Sequence, residues 1–233
     1  MVNLCAANVY EPEDLNVAEN MEILQNVHMI YIESFFITHS YEVALKLLRL
    51  CKDRKTPLIF SIGSVYIFNG FADKVITLSQ RANIVVGNKE EFLELGKALG
   101  IHRASVKDTA MALHRMSGEQ FEFRDHPLGE RLKQLGKVFV VTDGGGPVTC
   151  VYGNVGSKPT VVEYNIAPMN KGLIKDTTGA GDSFLAGFLA GLFLLNDTET
   201  CLAWGCWTAQ QVIQLIGCQI PSCQPNDILK IKC

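Results

Sequence analysis

The segment DTTGAGD, residues 176–182, runs directly into the apolar stretch SFLAGFL, residues 183–189. This composition predicts a glycine-rich turn that opens a buried α-helix. Because Gly179 and Gly181 carry no side chain, backbone N–H groups there can approach an anion, and the helix N-terminus adds partial positive charge at the same point. The segment therefore predicts a cradle for the negative charge of a transferring phosphoryl group.

Asp182, at the end of that segment, is the candidate general base, since its carboxylate could take the proton of a hydroxyl that attacks phosphorus. A purely structural interpretation is that Asp182 caps the helix and the glycines only form a tight turn. For the short string GAGD alone, the two interpretations are about equally supported. The complete string over 176–182 favours the catalytic interpretation.

The rest of the chain alternates short β-rich runs with amphipathic helical runs. Strands are predicted at 29–32, 58–60, 83–86, 137–142, 148–152 and 159–164, and helices at 41–52, 90–99, 182–195 and 198–216. Residues 104–130 predict surface helices with a loop at 123–127. This alternation predicts an α/β fold, a doubly wound and mostly parallel sheet flanked by helices, in a single domain over 1–233.

Two shorter motifs follow predicted strands. Asn88 and Glu91 form an N-x-x-E pattern after the strand at 83–86, and on its own this pattern is typical of a helix capping box. Thr142 and Gly144 lie where a later strand enters the turn DGGGP, and on its own this composition predicts a β-hairpin. Both motifs also offer polar groups that could bind a nucleotide.

Composition and charge exclude several classes of protein. The 233 residues are 48% hydrophobic and carry a formal net charge of −3 without a Lys/Arg block, so neither nucleic acid nor a membrane surface is an expected partner. The longest apolar stretch, 184–195, is too short to cross a bilayer, and the first residues lack a basic signal region. We therefore expect a cytoplasmic location, with the nucleus as a second compartment. The eight cysteines form no CxxC pair, which favours reduced thiols over a zinc site.

The string D-T-x-G-A-G-D, followed by a Gly-containing apolar helix, resembles the C-terminal signature of the ribokinase-like, or PfkB-type, carbohydrate kinases. The resemblance implies an ATP-dependent phosphotransferase in which Asp182 deprotonates the substrate hydroxyl. It also implies that the amides of Gly179, Ala180 and Gly181 form an anion hole over the transferred phosphate. Thr178, in the same loop, is then expected to contact ATP.

The two shorter motifs extend this resemblance. The N-x-x-E pattern resembles the family element that organises Mg²⁺ and its waters near the triphosphate, which implies that Asn88 lies beside the nucleotide and that Glu91 holds the metal through water. The segment with Thr142 and Gly144 resembles the family's T-x-G loop, which contacts ATP. ATP as co-substrate and Mg²⁺ as cofactor are thus implied.

Longer segments narrow the resemblance to the adenosine kinases within this family. Residues 3–10 (NLCAANVY) resemble their N-L-A-A-A-N-x-Y, residues 31–38 (YIESFFIT) resemble their Y-I-x-G-F-F-x-T, and residues 205–209 and 217–221 resemble the helix and tail that border the adenine of ATP. Adenosine is then the implied acceptor, with ADP and AMP as products. The implied substrate contacts are Asn8, Phe36, Ser61, Tyr66 and Asp182, and the implied adenine contacts of ATP are Cys206 and Ala209.

The sequence also departs from that pattern. SIGSVY at 61–66 stands where the family has N-L-S-A-P-F, and Cys206 stands where a histidine usually borders the adenine. The family's first sheet strands, lid, ribose-binding aspartate and Gly-Gly element have no counterpart, so we expect an N-terminally truncated kinase domain whose exposed apolar sheet surface favours self-association. Two alternatives stay open: a catalytically silent paralogue or isoform with a binding or regulatory role, and a kinase of another sugar or nucleoside.

Overall fold

The computed structural model describes residues 9–101, 105–118 and 122–221. Within these ranges the chain forms an α/β fold, a six-stranded sheet flanked by helices, which confirms the predicted class. The strands are β1 (Ile30–Glu33), β2 (Leu58–Ser61), β3 (Ile84–Asn88), β4 (Lys137–Thr142), β5 (Val148–Gly153) and β6 (Thr160–Tyr164). The helices are α1 (Ala18–Asn26), α2 (Tyr41–Arg54), α3 (Phe68–Arg81), α4 (Lys89–Ala98), α5 (Val106–Met116), α6 (Pro127–Leu135), α7 (Ala180–Phe193) and α8 (Thr198–Val212).

The strands lie in the order β1-β2-β3-β4-β5-β6 in one sheet. β1 pairs with β2 and β2 with β3 in parallel, so that Glu33 stands opposite Ser61 and Ser61 opposite Val86. The carboxyl ends of these three strands therefore meet at one edge of the sheet. The short turn between β4 and β5 closes with a hydrogen bond of 2.6 Å from the Gly146 amide to the Asp143 carbonyl, as expected of a hairpin.

Burial follows the sequence pattern of each element. Leu58, Ile59 and Phe60 of β2 are at most 1% exposed, as expected for a parallel strand that is covered on both faces. α2 is amphipathic instead, because its apolar residues recur at helical spacing and face inward. The buried residues of α2 are Val43, Ala44, Leu47, Leu48 and Cys51.

The chain divides into two compact units, Met1–Val141 with Val151–Val161, and Thr142–Cys150 with Val162–Cys233. The single domain predicted over 1–233 stays a prediction. The first unit has a core in which Phe60, Phe92 and Phe139 are fully buried. Both units contribute free thiols within the described ranges, at Cys51, Cys150, Cys201, Cys206 and Cys218.

In the second unit, α7 and α8 pack against each other through glycines. A methyl group at Gly187 would overlap Oγ1 of Thr208 and lie 2.5 Å from the carbonyl oxygen of Trp204. A methyl group at Gly191 would lie 2.9 Å from Cα of Cys201. The two backbones can therefore approach this closely only because these positions carry no side chain.

Several boundaries differ from the predictions. α1 and α3 are absent from the predicted elements, and α3 contains a kink at Asn69 and Gly70, whose backbone conformations are not helical. α8 ends at Val212 instead of 216, because the Ile213 carbonyl accepts hydrogen bonds from the amides of Lys175 and Asp176 and so leaves the helical pattern. No helix in the described ranges has both the length and the apolar character needed to cross a membrane.

Replacing Gly187 with Ala should destabilise the second unit by about 1–3 kcal/mol, because the added methyl group overpacks the contact between α7 and α8. Urea unfolding followed by circular dichroism measures this free energy. Gly145→Ala is the matched control, since a methyl group at Gly145 would meet nothing within 4 Å. The control should change the free energy of unfolding by less than about 0.5 kcal/mol. Equal losses in the two variants would contradict the close packing at Gly187.

Candidate active site

The turn before α7 gives this helix a start without a side-chain cap. Gly179 occupies the N-cap position in the left-handed conformation, with φ of 77°. Any other residue would be strained there, and its Cβ would lie 2.5 Å from Sγ of Cys218. Glycine at 179 is therefore required both by the turn and by the approach of Cys218.

Several amide groups at this helix start have no acceptor among the described residues. The amide of Ala180 donates to the carbonyl of Thr177 at 3.2 Å. In the described part of the chain, the amides of Gly179, Gly181 and Asp182 donate to no backbone carbonyl. A methyl group at Gly181 would meet nothing within 4 Å, so the space beside it is open. Unpaired donors at the positive end of a helix dipole are the arrangement that binds anions.

Asp176 anchors this turn. Its carboxylate accepts hydrogen bonds from the Thr178 amide at 2.9 Å, from the Thr178 hydroxyl at 2.8 Å and from the Gly217 amide at 2.8 Å. These hydrogen bonds, those from Thr178 foremost, hold the pKa of Asp176 below its ordinary value because they stabilise the ionised carboxylate. The turn is thereby fixed to the segment that follows α8.

Asp182 occupies the third position of α7 and is exposed. Its side chain caps no amide in the part of the chain that the structure describes, because the N-cap position belongs to Gly179 and α7 has no side-chain capping hydrogen bond there. The capping interpretation of Asp182 is therefore not supported. Its carboxylate makes no hydrogen bond or ion pair with any described residue, so both oxygens are available to a ligand.

Apart from Asn88, the other residues expected to contact ATP lie in the second unit. Thr142 ends β4, and Gly144 lies in the following turn with φ of 52°. The hydroxyl of Thr178 is engaged by Asp176. Cys206 is only 6% exposed, and burial raises the pKa of its thiol to about 12, whereas Ala209 is half-buried. The contacts of these residues with ATP stay predictions.

In the first unit, Asn88 and Glu91 form the capping box predicted from their spacing. The Glu91 amide donates to Oδ1 of Asn88, while the backbone and side-chain nitrogens of Asn88 donate to the Glu91 carboxylate, each at 2.9 Å. Glu91 is 4% exposed. Burial raises the pKa of Glu91, the hydrogen bond from the Asn88 amide opposes this rise, and the charges of Glu33 and Glu90 add to it.

The residues expected to bind the acceptor also belong to the first unit. Phe36 lies in the 3-10 helix after β1, Ser61 ends β2, and Tyr66 is 64% exposed shortly after Ser61. Because β1, β2 and β3 are parallel, the segments that carry these residues and Asn88 leave the sheet at the same edge. Asn8 lies outside the described residues.

Sequence reasoning missed two features of these sites. Glu33 lies against the left-handed turn at Gly63, where an added Cβ would overlap Oε1 of Glu33. Glu33 stands at the variable position of the Y-I-x-G-F-F-x-T pattern, so no motif marked it. Asp176 stood inside the quoted motif, but its bond to Gly217 joins residues too far apart in sequence for spacing to reveal.

Comparisons with known proteins identify the same family that the sequence motifs resemble. The family profile described as "pfkB family carbohydrate kinase" matches residues 1–225. Adenosine kinase from Saccharomyces cerevisiae is 28% identical over 222 residues, and adenosine kinase from Schizosaccharomyces pombe is 26% identical over 219 residues, covering 95% and 94% of this chain. The chain spans 59% of the length of either relative.

Solved structures of adenosine kinases share the fold. The crystal structure of Anopheles gambiae adenosine kinase in complex with P1,P4-di(adenosine-5) tetraphosphate has a TM-score of 0.78 at 24% identity, over 93% of this chain and 60% of that one. Adenosine kinase from Schistosoma mansoni in complex with 2-fluoroadenosine has a TM-score of 0.78 at 21% identity, over 93% of this chain and 59% of that one. At these identities the likeness shows the fold alone.

Asp176→Asn should remove a pH-dependent part of the stability. Because the folded-state pKa of Asp176 is depressed, its contribution is present above the unfolded pKa, near ~3.9, and is lost as the pH falls through the folded pKa. The difference in free energy of unfolding between parent and variant should therefore be constant above about pH 5 and shrink below it. Urea unfolding at several pH values measures this difference. Glu163→Gln, which removes an exposed carboxylate of β6, is the control. A difference for Asp176→Asn that stays constant at all pH values would contradict the anchoring role.

Proposed function

Because the chain belongs to the pfkB family of carbohydrate kinases, we propose that it is an ATP-dependent phosphotransferase whose acceptor is adenosine, giving ADP and AMP. One observation carries the proposal. α7 begins with unpaired amides, and the exposed carboxylate of Asp182 lies in its first turn without a partner among the described residues. A helix start of this kind offers donors for phosphate oxygens together with a base that no structural bond occupies.

The transfer forms a bond between the acceptor oxygen and the γ-phosphorus of ATP and breaks the bond from that phosphorus to the bridging oxygen that leaves with ADP. Asp182 would take the proton of the acceptor hydroxyl, a contribution that is typically about 10²- to 10⁴-fold in rate. The amides of Gly179 and Gly181 would stabilise charge on the transferred phosphoryl oxygens, and loss of one such donor typically costs about 3 kcal/mol. The Ala180 amide could join them only after releasing the Thr177 carbonyl.

Mg²⁺ suits the donors at the carboxyl end of β3. The two carboxylate oxygens of Glu91 accept hydrogen bonds from Asn88 and keep further lone pairs, and the charge of Glu33 is close enough to raise the pKa of Glu91. Such oxygen donors fit an ion that keeps several waters and binds mainly through phosphates. Glu91 would accept hydrogen bonds from those waters, with Asn88 fixing its carboxylate. When bound, Mg²⁺ neutralises charge on the triphosphate.

The choice of adenosine rests on the adenosine kinase motifs and on the names of the similar proteins. Two of the positions expected to contact the acceptor, Ser61 and Tyr66, differ from the family pattern, which favours a kinase of another sugar or nucleoside as a second candidate. Ser61 and the buried thiol of Cys206 also motivate the silent alternative, a catalytically silent chain with a binding or regulatory role. Self-association through exposed sheet surface stays a prediction that light scattering can test.

Asp182→Asn should lower kcat for transfer of labelled γ-phosphate from ATP to adenosine by about 10²- to 10⁴-fold, because the variant removes the proton acceptor. The Michaelis constant for ATP should change little. Glu199→Gln is the matched control, since Glu199 is an exposed acid in the first turn of α8, and this variant should keep its activity. We expect the parent chain itself to turn over slowly.

Two results would go against this role. Transfer by Asp182→Asn within about threefold of the parent rate would show that the carboxylate is dispensable. If the parent chain bound ATP in calorimetry but transferred no label to any acceptor, the silent alternative would replace the kinase.

A panel of acceptors should separate the two kinase candidates. We expect adenosine to have a higher kcat/KM than inosine, ribose or fructose. Tyr66→Ala should raise the Michaelis constant for adenosine with little effect on kcat, because an exposed ring that stacks on the acceptor binds ground and transition states alike. Tyr66→Phe, which keeps the ring, should behave like the parent. A sugar that outperforms adenosine would replace it as the acceptor.

A further inference from the structure

A cavity of about 400 Å³ lies within the first unit at the amino ends of three strands. Its lining includes Leu58, the first residue of β2, Asn83, which precedes β3, and Lys137, the first residue of β4. Ser61 and Asn88 lie at the opposite ends of β2 and β3. At about 3.3 Å per residue, the length of β3 alone separates the two ends by roughly 13 Å. The cavity is therefore distinct from the site that contains Ser61 and Asn88.

The lining of this cavity is cationic. Arg49 and Lys52 reach it from α2, Arg81 from the end of α3, and no aspartate or glutamate is among the lining residues in the described part of the chain. Arg49, Lys52 and Arg81 make no hydrogen bond or ion pair with a described residue through their side chains. Cations that line one cavity, and for which the described residues supply no carboxylate partner, repel one another and attract an anion.

Lys137 adds a buried cationic group to the same cavity. It is 5% exposed, and its Nζ donates to the carbonyls of Ser79, at 2.7 Å, and of Gln80. It has no carboxylate partner among the described residues, although a buried ammonium normally needs one. Burial accordingly holds the pKa of Lys137 well below its ordinary value. An anion in the cavity would favour the protonated form of Lys137 and accept a hydrogen bond from its third N–H.

The remaining lining suits the organic part of a ligand. Leu48, Cys51, Ala82 and Val155 give the cavity apolar walls. Asn83 accepts a hydrogen bond of 2.8 Å from the Leu58 amide through Oδ1, which leaves its Nδ2 as a donor. A volume of about 400 Å³ lies in the range of sites for small molecules.

From this geometry we propose that the cavity is a binding site for a small organic phosphate, with the phosphate held by Arg49, Arg81 and Lys137 and the organic part against the apolar walls. Guanidinium groups bind phosphate oxygens in pairs, which favours a phosphate over a spherical anion. The site lies at the end of the sheet away from the capping box, so it would hold its ligand independently of phosphoryl transfer.

Calorimetric titration of the purified chain with ribose 5-phosphate tests the proposal. We expect saturable binding that Arg49→Gln combined with Arg81→Gln weakens at least about tenfold. Lys107→Gln combined with Arg115→Gln removes the same charge from exposed positions of α5 outside the cavity, and it should leave the affinity within about twofold. Lys137 is buried and replacing it could unfold the chain, so the test uses the exposed arginines instead. Circular dichroism should confirm that every variant is folded.

Hydrogen–deuterium exchange locates the bound probe. Ribose 5-phosphate should protect amides at 48–52, 79–83 and 136–138. Protection confined to 176–182, an equal loss of affinity in both double variants, or no binding up to about 10 mM would each overturn the proposal. Inorganic phosphate should bind more weakly than ribose 5-phosphate. Equal affinities would also overturn it, because the apolar walls would then contribute nothing.

Discussion

The left-handed turn at Gly179 is the constraint on which the proposed chemistry depends. A helix that begins there gains no side-chain capping hydrogen bond, and the amides of Gly179, Gly181 and Asp182 have no acceptor in the part of the chain that the structure describes. The turn therefore has to be held from elsewhere. The carboxylate of Asp176 holds the turn by accepting hydrogen bonds from Thr178 and Gly217. The Ile213 carbonyl also holds it by accepting hydrogen bonds from the amides of Lys175 and Asp176. These hydrogen bonds lie beside the amides of Gly179, Gly181 and Asp182 and do not involve them.

The starts of α4 and α7 show how the same position can serve stability or ligand binding. At α4, Asn88 and Glu91 satisfy each other's amides, so the helix start is complete without a ligand. At α7, glycine replaces the capping residue, and the carboxylate of Asp182 accepts no hydrogen bond from a described residue. Glycine at an N-cap typically costs only a few tenths of a kcal/mol relative to Ser, Thr, Asn or Asp, so the helix start is left open for a ligand at little cost to stability.

Most of the fold and part of the candidate site can be predicted from the sequence. β4 begins and ends as predicted, because a run of β-branched and aromatic residues between a glycine and a turn leaves little ambiguity. α3 was within reach of the sequence, since Phe71, Val75 and Leu78 recur at helical spacing, although Asn69 and Gly70 at its start are poor helix formers. Local motifs located Asp182, Gly179 and the capping box, whereas no local pattern could reveal that Asp176 bonds Gly217 or that Cys206 is buried. Those facts depend on contacts between residues distant in sequence.

Parallel strands give the first unit two chemically different ends. Glu33 ends β1, and Glu91 lies in the first turn of α4, the helix that follows β3. At the opposite end, Arg81 lies just before β3 and Lys137 begins β4. The strands thus run from a basic end to an acidic one. An acidic end favours a phosphate whose charge a metal has neutralised, whereas a basic end attracts the bare anion. Under the two proposals above, one short sheet would separate phosphorylated molecules by whether they arrive chelated.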